Sequence, residues 1–176
     1  QCVGERAGGH DARDLALDTL RLIDGSRPDD RHERVATDVL RERLLVDVAL
    51  LEAEEFQVHM SSLSGFHTHL REMFDFMARD TPDHWEAIRQ RLDDVGAGLV
   101  GLRETYLDSA TRGKVAMRSQ TVVVADQCAL WAEPDGTFAE LAAACPHGDI
   151  SAEAARAAAA FGDFSDWLRT DYAAIA

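Results

Sequence analysis

The chain has 176 residues, of which 46 % are hydrophobic and 28 % are charged, and its formal net charge is −14 at pH 7. A chain of this length suits one domain, or one lobe of a larger protein, with enough apolar residues for a sizeable core. The negative charge disfavours binding to nucleic acids and to anionic membrane surfaces, because both recruit Lys and Arg. We therefore expect neither nucleic acid nor membrane as a partner.

The cysteines and the N-terminal residues point to a cytoplasmic protein. Cys2, Cys128 and Cys145 lie far apart and match neither a disulfide framework nor a zinc-binding spacing. No run approaches the roughly 20 apolar residues of a membrane span, and the first residues lack a basic-then-apolar signal segment. We interpret residues 1–10 as a flexible lead-in and residues 11–176 as a helical domain.

Hydrophobic residues recur at helical spacing along most of the chain, without the alternation typical of strands. This pattern predicts an all-α fold, a multi-helix, bundle-like lobe with long amphipathic helices. The triple valine at residues 122–124 would also suit a strand, but the polar residues around it at helical offsets favour a helix. In chain order, the predicted helices cover residues 11–23, 29–57, 65–78, 81–106, 117–132, 138–144 and 151–160, and a last helix lies within residues 161–176.

The clearest helix start is at Thr81, whose side chain can cap the helix while Pro82 takes its first position. The apolar residues that follow are spaced alternately by three and four, which predicts a bundle or coiled-coil contact. We call these residues the seam: Trp85, Ile88, Leu92, Val95, Leu99, Leu102 and Tyr106. Farther along, Ser151 is the predicted N-cap of the helix over residues 151–160.

The last stretch carries an apolar stripe that no Gly, Asn or Pro closes. We expect this stripe to require a partner surface outside the chain. In that case Trp167→Ala would cost less than the roughly 3–5 kcal/mol of a core deletion. The stripe consists of Phe164, Trp167, Leu168, Tyr172 and Ile175.

The most unusual polar and aromatic stretch is the helix entry at residues 61–76. Phe66, His67 and His69 could line a ligand cleft there, and the competing interpretation is a helix start packed into the core. A metal site made of His59, His67 and His69 is a further alternative. The chain has no His-Glu-x-x-His pair, however, and no other zinc-ligand spacing. We therefore assign no catalytic residue, metal ligand or cofactor to this chain.

Several segments, in order, resemble the N-terminal part of a large bacterial family, the domain of unknown function 885. The most specific are Thr81-x-x-x-Trp85 with Arg91-Leu92, and Phe164-x-x-Trp167-Leu168 with Tyr172. The other segments are residues 17–23, 30–34, 65–67 and 113–115.

The resemblance implies a zinc-dependent metallopeptidase of the gluzincin type, with zinc as the cofactor of a full-length member. The zinc-binding helix of such proteins lies in their C-terminal half and has no counterpart in this sequence. This chain would then be a helical lobe, whose partners are the C-terminal remainder of the same protein and a peptide. The alternative is a stand-alone helical binding or regulatory domain that mediates protein interaction or forms a homo-oligomer.

Overall fold

The computed structural model describes the backbone of residues 4–53 and 58–176, and the side chains of residues 13–53 and 58–176. Within these ranges the chain is helical and contains no strand, which confirms the predicted all-α fold. None of the helices described there is long and apolar enough to cross a membrane. The helices are α1 (Gly4–Gly25), α2 (Arg31–Ala53), α3 (Phe66–Phe76), α4 (Pro82–Thr111), α5 (Arg118–Trp131), α6 (Thr137–Ala143) and α7 (Ser151–Thr170), followed by a 3-10 turn (Tyr172–Ala174).

The chain divides into two compact units, unit 1 (Gln1–Gln57) and unit 2 (Val58–Ala176). In unit 1, α1 packs on α2 around a small core of Ala16, Leu20 and Val48. Helix α1 begins at Gly4, within the stretch interpreted as a lead-in, and the division into a lead-in and a helical domain stays a prediction. The end of the helix predicted over residues 29–57 lies partly outside the described residues. A single helical domain over residues 11–176 stays a prediction.

Helix α4 is the centre of unit 2, and it begins as the sequence predicts. The Thr81 hydroxyl accepts a hydrogen bond from the His84 backbone N–H at 3.3 Å, and Pro82 occupies the first turn. The Trp85 indole N–H donates to the Arg79 carbonyl at 2.9 Å, which fixes the chain entering the helix. All seven seam residues are buried, so the predicted bundle contact is confirmed.

Helix α7 covers the seam and also packs on α5 and α6. It is one continuous helix where the sequence predicts a break near residue 160, because the buried Phe161, Phe164 and Leu168 keep it packed across Gly162. The predicted N-cap at Ser151 is wrong. Ile150 holds the cap position, and the Asp149 carboxylate accepts the Ser151 backbone N–H at 2.9 Å.

The apolar stripe of the last stretch finds its partners within unit 2, contrary to our expectation. Trp167 is 4 % exposed and packs between Phe164 and Tyr172, at ring-centroid distances of 5.6 and 5.2 Å. The Tyr172 hydroxyl accepts the backbone N–H of Ala116 at 2.9 Å. Only Ile175 of the stripe is largely exposed, at 47 %. The expectation of an absent partner surface is therefore wrong for most of this stripe.

Helix α5 confirms the helical interpretation of the triple valine. Val124 is buried, whereas Val122 and Val123 are exposed, as helical rather than strand periodicity requires.

Cys128 of α5 is also fully buried, and burial raises the pKa of its thiol to about 12. The thiol is therefore protonated at neutral pH and serves as a small core residue.

Candidate functional site

The segment that leads into α3 is held by its own hydrogen bonds. The Gly65 N–H donates to the Ser61 carbonyl at 2.9 Å, and the Ser61 hydroxyl accepts from the Leu63 and Ser64 N–H groups at 3.2 and 3.3 Å. The Tyr106 hydroxyl of α4 donates to the His59 carbonyl at 3.1 Å. These bonds fix residues 58–65 against α4 and determine where α3 begins.

His67, in the first turn of α3, points inward and is 0 % exposed. Its Nε2 lies 3.3 Å from Oε1 of Gln127 and 3.2 Å from the Thr68 hydroxyl. The Gln127 amide in turn donates to the Ser62 carbonyl at 3.0 Å. A chain of hydrogen bonds thus runs from α5 through one amide to the imidazole and to the 58–65 segment.

Burial lowers the pKa of His67 from 6.5 to about 4. The hydrogen bond that Nε2–H donates to Oε1 of Gln127 opposes this shift, and the nearby His69 and His59 reinforce it. The imidazole is therefore neutral at pH 7. With Nε2–H donating to Gln127, Nδ1 carries the lone pair, and this buried atom has no hydrogen-bond partner among the described residues. Such an unsatisfied buried group costs about 1–3 kcal/mol.

Gly65 makes room for the imidazole. A Cβ at this position would lie 2.4 Å from Cε1 and 2.7 Å from Nδ1 of His67, and 2.7 Å from the Ser61 carbonyl oxygen. The glycine is therefore required by close approach rather than by an unusual backbone angle, since its φ is −72°. Gly65 and His67 thus depend on each other for their positions.

The structure separates the three residues proposed to line a ligand cleft. His67 is buried, whereas Phe66 is 42 % exposed and His69 is exposed on the outer side of α3. Ligand binding by these three residues stays a prediction. What the arrangement does provide is a neutral imidazole that joins α3, α5 and the 58–65 segment.

The alternative metal site at His59, His67 and His69 does not fit the geometry. The His59 imidazole bonds the Ser64 hydroxyl at 2.9 Å, while His67 uses Nε2 inside the protein. Among the side chains that the structure describes, no three of His, Cys, Asp or Glu form a group able to hold a metal ion. The described side chains therefore provide no set of ligands for the zinc ion that the resemblance implies.

A comparison with protein families shows to which family the chain belongs. The family described as "Bacterial protein of unknown function (DUF885)" matches residues 4–176. The chain belongs to the DUF885 family. No curated protein matches the chain.

The DUF885 match extends over nearly all of unit 1 and all of unit 2, so the helices of both units belong to the family region. The resemblance inferred from the helix start at Thr81 and the Phe164 to Tyr172 segment is thereby confirmed at the level of the family. The family description names no activity, so membership assigns no chemistry to His67 or to any other residue.

Sequence reasoning missed the partners of His67. Gln127 lies 60 residues away on α5, and its only signal is a polar residue next to buried positions of that helix. Thr68 and the Ser62 carbonyl carry no signal in the sequence, because turns and helix starts commonly contain Ser and Thr.

Proposed function

We propose that this DUF885 chain is a helical lobe of a zinc-dependent, peptidase-like hydrolase, whose metal ligands lie elsewhere in the polypeptide. The family match over residues 4–176 supports the proposal, because the resemblance to this family is what implies a zinc-dependent peptidase. The fold is compatible with this role, because α4, α5 and α7 form a packed scaffold that could support one wall of a substrate channel. We propose a cytoplasmic location for the whole protein.

The proposal assigns hydrolysis to residues outside those described. A zinc hydrolase needs three protein ligands and an open position for water. The side chains of residues 13–53 and 58–176 offer no group of three such ligands. The lobe would therefore contribute shape and substrate contacts, and the rest of the polypeptide would contribute the metal and the general base.

The experiment begins with the coding sequence beyond the codon of Ala176. We expect an open reading frame that continues into a His- and Glu-containing metal helix. The product of the whole frame is then purified and its zinc content measured, and we expect a stoichiometric zinc ion. Peptide hydrolysis should stop when a chelator removes the zinc and return when zinc is restored.

The matched control is the chain of residues 1–176, for which we expect neither stoichiometric zinc nor hydrolysis. A stop codon directly after Ala176 would contradict the proposal. So would a whole-frame product that binds no zinc and cleaves no peptide.

A second candidate function, a helical domain that binds a partner protein or a second copy of itself, is favoured by the surface of unit 1. Large apolar side chains on α1 and α2 are exposed by 46 % to 75 % and are therefore available to a partner surface. Sedimentation equilibrium of the chain tests self-association: a concentration-dependent dimer supports it, and a monomer at all concentrations contradicts it. The exposed residues are Leu15, Leu22, Val35, Val39, Leu40, Leu45 and Val46.

A further inference from the structure

Helix α2 carries a row of residues at coiled-coil spacing on the side that faces away from α1. Val48 packs on α1, whereas Val46, two residues earlier, lies about 200° away around the helix and is exposed. Residues on the same side as Val46 recur alternately every four and every three positions, which is the spacing of a coiled-coil seam. All of them are exposed, and we call them the outer row: Val35, Val39, Glu42, Val46 and Ala49.

The outer row is mainly apolar, and its composition suits a pair of helices. With Val39 and Val46 at position a of successive heptads, the β-branched side chains stand where two-stranded coiled coils prefer them. The d positions are Val35, Glu42 and Ala49. Glu42 is the polar member of the row, and a polar residue in a seam lowers the stability of a coiled coil while it restricts the register of the two helices. The outer row therefore predicts a short and weak contact between two helices.

The residues beside the outer row indicate what its partner is. Asp38 stands at position g and Arg43 at position e, and neither forms an ion pair with a side chain that the structure describes. In two parallel helices in register, position g of one helix faces position e of the next heptad on the other. Asp38 of each copy would then face Arg43 of the other copy. Leu45 and Leu50 occupy the following g and e positions, so the next contact of this kind joins two apolar side chains.

The same helix thus supplies both members of each contact. Two copies related by a two-fold axis make every contact twice, as in closed symmetric dimers. An antiparallel pair would bring position g to g and position e to e, so Asp38 would not face Arg43. The charges and the apolar residues of α2 are therefore complementary to α2 itself in the parallel orientation.

We propose that the outer row of α2 docks on the outer row of a second copy of this chain, as a short, parallel, two-stranded coiled coil. This dimer is one form of the second candidate function, self-association, on which the proposal rests, and it is independent of the hydrolase assignment. From Val35 to Ala49 the row extends along about 21 Å of helix. Interfaces this small are typical of weak and transient complexes, and we expect a Kd on the order of 0.1 mM.

The test is sedimentation equilibrium of the chain of residues 1–176 from about 10 µM to about 1 mM, a range that spans the expected Kd. The buffer contains about 0.15 M NaCl, which screens the repulsion between two copies of net charge −14 beyond roughly 8 Å. We expect an equilibrium between monomer and dimer. A chain that stays monomeric at the highest concentration, or that forms a species larger than a dimer, overturns the proposal.

A variant in the outer row locates the interface. Val39→Asp places a charge at position a, and we expect the Kd of the dimer to rise at least about tenfold. The matched control is Leu15→Asp, at an exposed apolar residue of α1 outside the outer row, for which the Kd should be unchanged. Circular dichroism verifies that both variants are folded. Equal Kd values for the two variants would leave self-association standing but place it on another surface, which overturns the proposal.

An exchange of charges tests the parallel register. Arg43→Asp sets two like charges opposite each other, and we expect the Kd to rise at least about fivefold. Adding Asp38→Arg to this variant restores an opposite pair and should lower the Kd again at least about fivefold. The control adds Asp135→Arg instead, which changes the net charge equally at an exposed turn of unit 2 and should leave the Kd of Arg43→Asp unchanged. A failure of Asp38→Arg to rescue the dimer, or an equal rescue by Asp135→Arg, overturns the proposal.

Discussion

The buried imidazole of His67 makes the stability of unit 2 depend on pH. Its pKa is about 4 in the folded chain and 6.5 when unfolded, so the unfolded chain binds a proton more readily. The free energy of unfolding therefore contains the full contribution of the neutral imidazole above about pH 6.5. This contribution is lost as the pH falls towards 4. The full effect is at most about 3 kcal/mol. Urea unfolding of the wild type between pH 7 and 4.5 measures the loss.

The comparison that isolates His67 is His67→Gln, which removes the titrating group. Carboxylates contribute to the acid sensitivity of both proteins, so the informative quantity is the difference between the two pH profiles. We expect the variant profile to be flatter in this range. Parallel profiles would show that His67 does not titrate as its burial requires.

Gly65 is the residue at which an added methyl group should be most harmful. Gly65→Ala would place a Cβ against the His67 ring and the Ser61 carbonyl, and neither can move without breaking the hydrogen bonds of the segment. We expect a loss of about 1–3 kcal/mol in the free energy of unfolding. Thermal and urea unfolding followed by circular dichroism measure it.

The same substitution at Gly96, within α4, serves as the control. A Cβ there would lie 3.8 Å from the Ala160 Cβ, an ordinary van der Waals contact. Because Ala favours the helix interior over Gly by about 1 kcal/mol, Gly96→Ala should stabilise the protein. We expect the two substitutions to change stability in opposite directions, and a neutral Gly65→Ala would contradict the close approach.

At the scale of elements, the end of α7 and the turn after it are part of the core rather than an uncovered edge. Trp167→Ala should cost about 3–5 kcal/mol, since the indole packs on Phe164 and Tyr172 and lies under the Arg103 guanidinium at 5.1 Å. Urea unfolding followed by circular dichroism gives the value. Ile175→Ala, at an exposed position, should change stability much less. If Trp167→Ala lowered the free energy of unfolding as little as Ile175→Ala does, the partner surface of Trp167 would lie outside the chain.

The elements differ in how far the sequence could predict them. The seam of α4 and its Thr81 cap are local patterns. The spacing of apolar residues and the chemistry of helix capping were therefore sufficient to predict them. The burial of Trp167 was not predictable, because it depends on side chains from α4 and on the turn at Tyr172 that meet it only in the folded chain. The His67 cluster has the same origin, since its partner Gln127 is brought in by the packing of α5.

At the scale of the whole molecule, the two compact units differ in the size of their cores. Unit 1 has a small core around Ala16, Leu20 and Val48, whereas unit 2 contains all three tryptophans. Tryptophan fluorescence therefore reports unit 2 alone, while circular dichroism reports the helices of both units. We expect urea to reduce the helical signal before the fluorescence changes, as two transitions that do not coincide.

A pair of variants separates the two transitions. Leu20→Ala should move the early loss of helical signal to lower urea and leave the fluorescence transition in place. Leu168→Ala, in the core of unit 2, should move the fluorescence transition. Coincident transitions that both variants shift together would show that the two units unfold as one.

The position of α7 along the chain has a consequence for synthesis on the ribosome. Helix α4 is complete at Thr111, but the helix that covers its seam ends at Thr170, about 60 residues later. At translation rates of about 5–20 residues per second, this delay is roughly 3–12 s. During that time the nascent chain carries an uncovered row of Trp, Ile, Leu and Val side chains. We expect such a row to be accessible to chaperones until the last turn of α7 has left the exit tunnel.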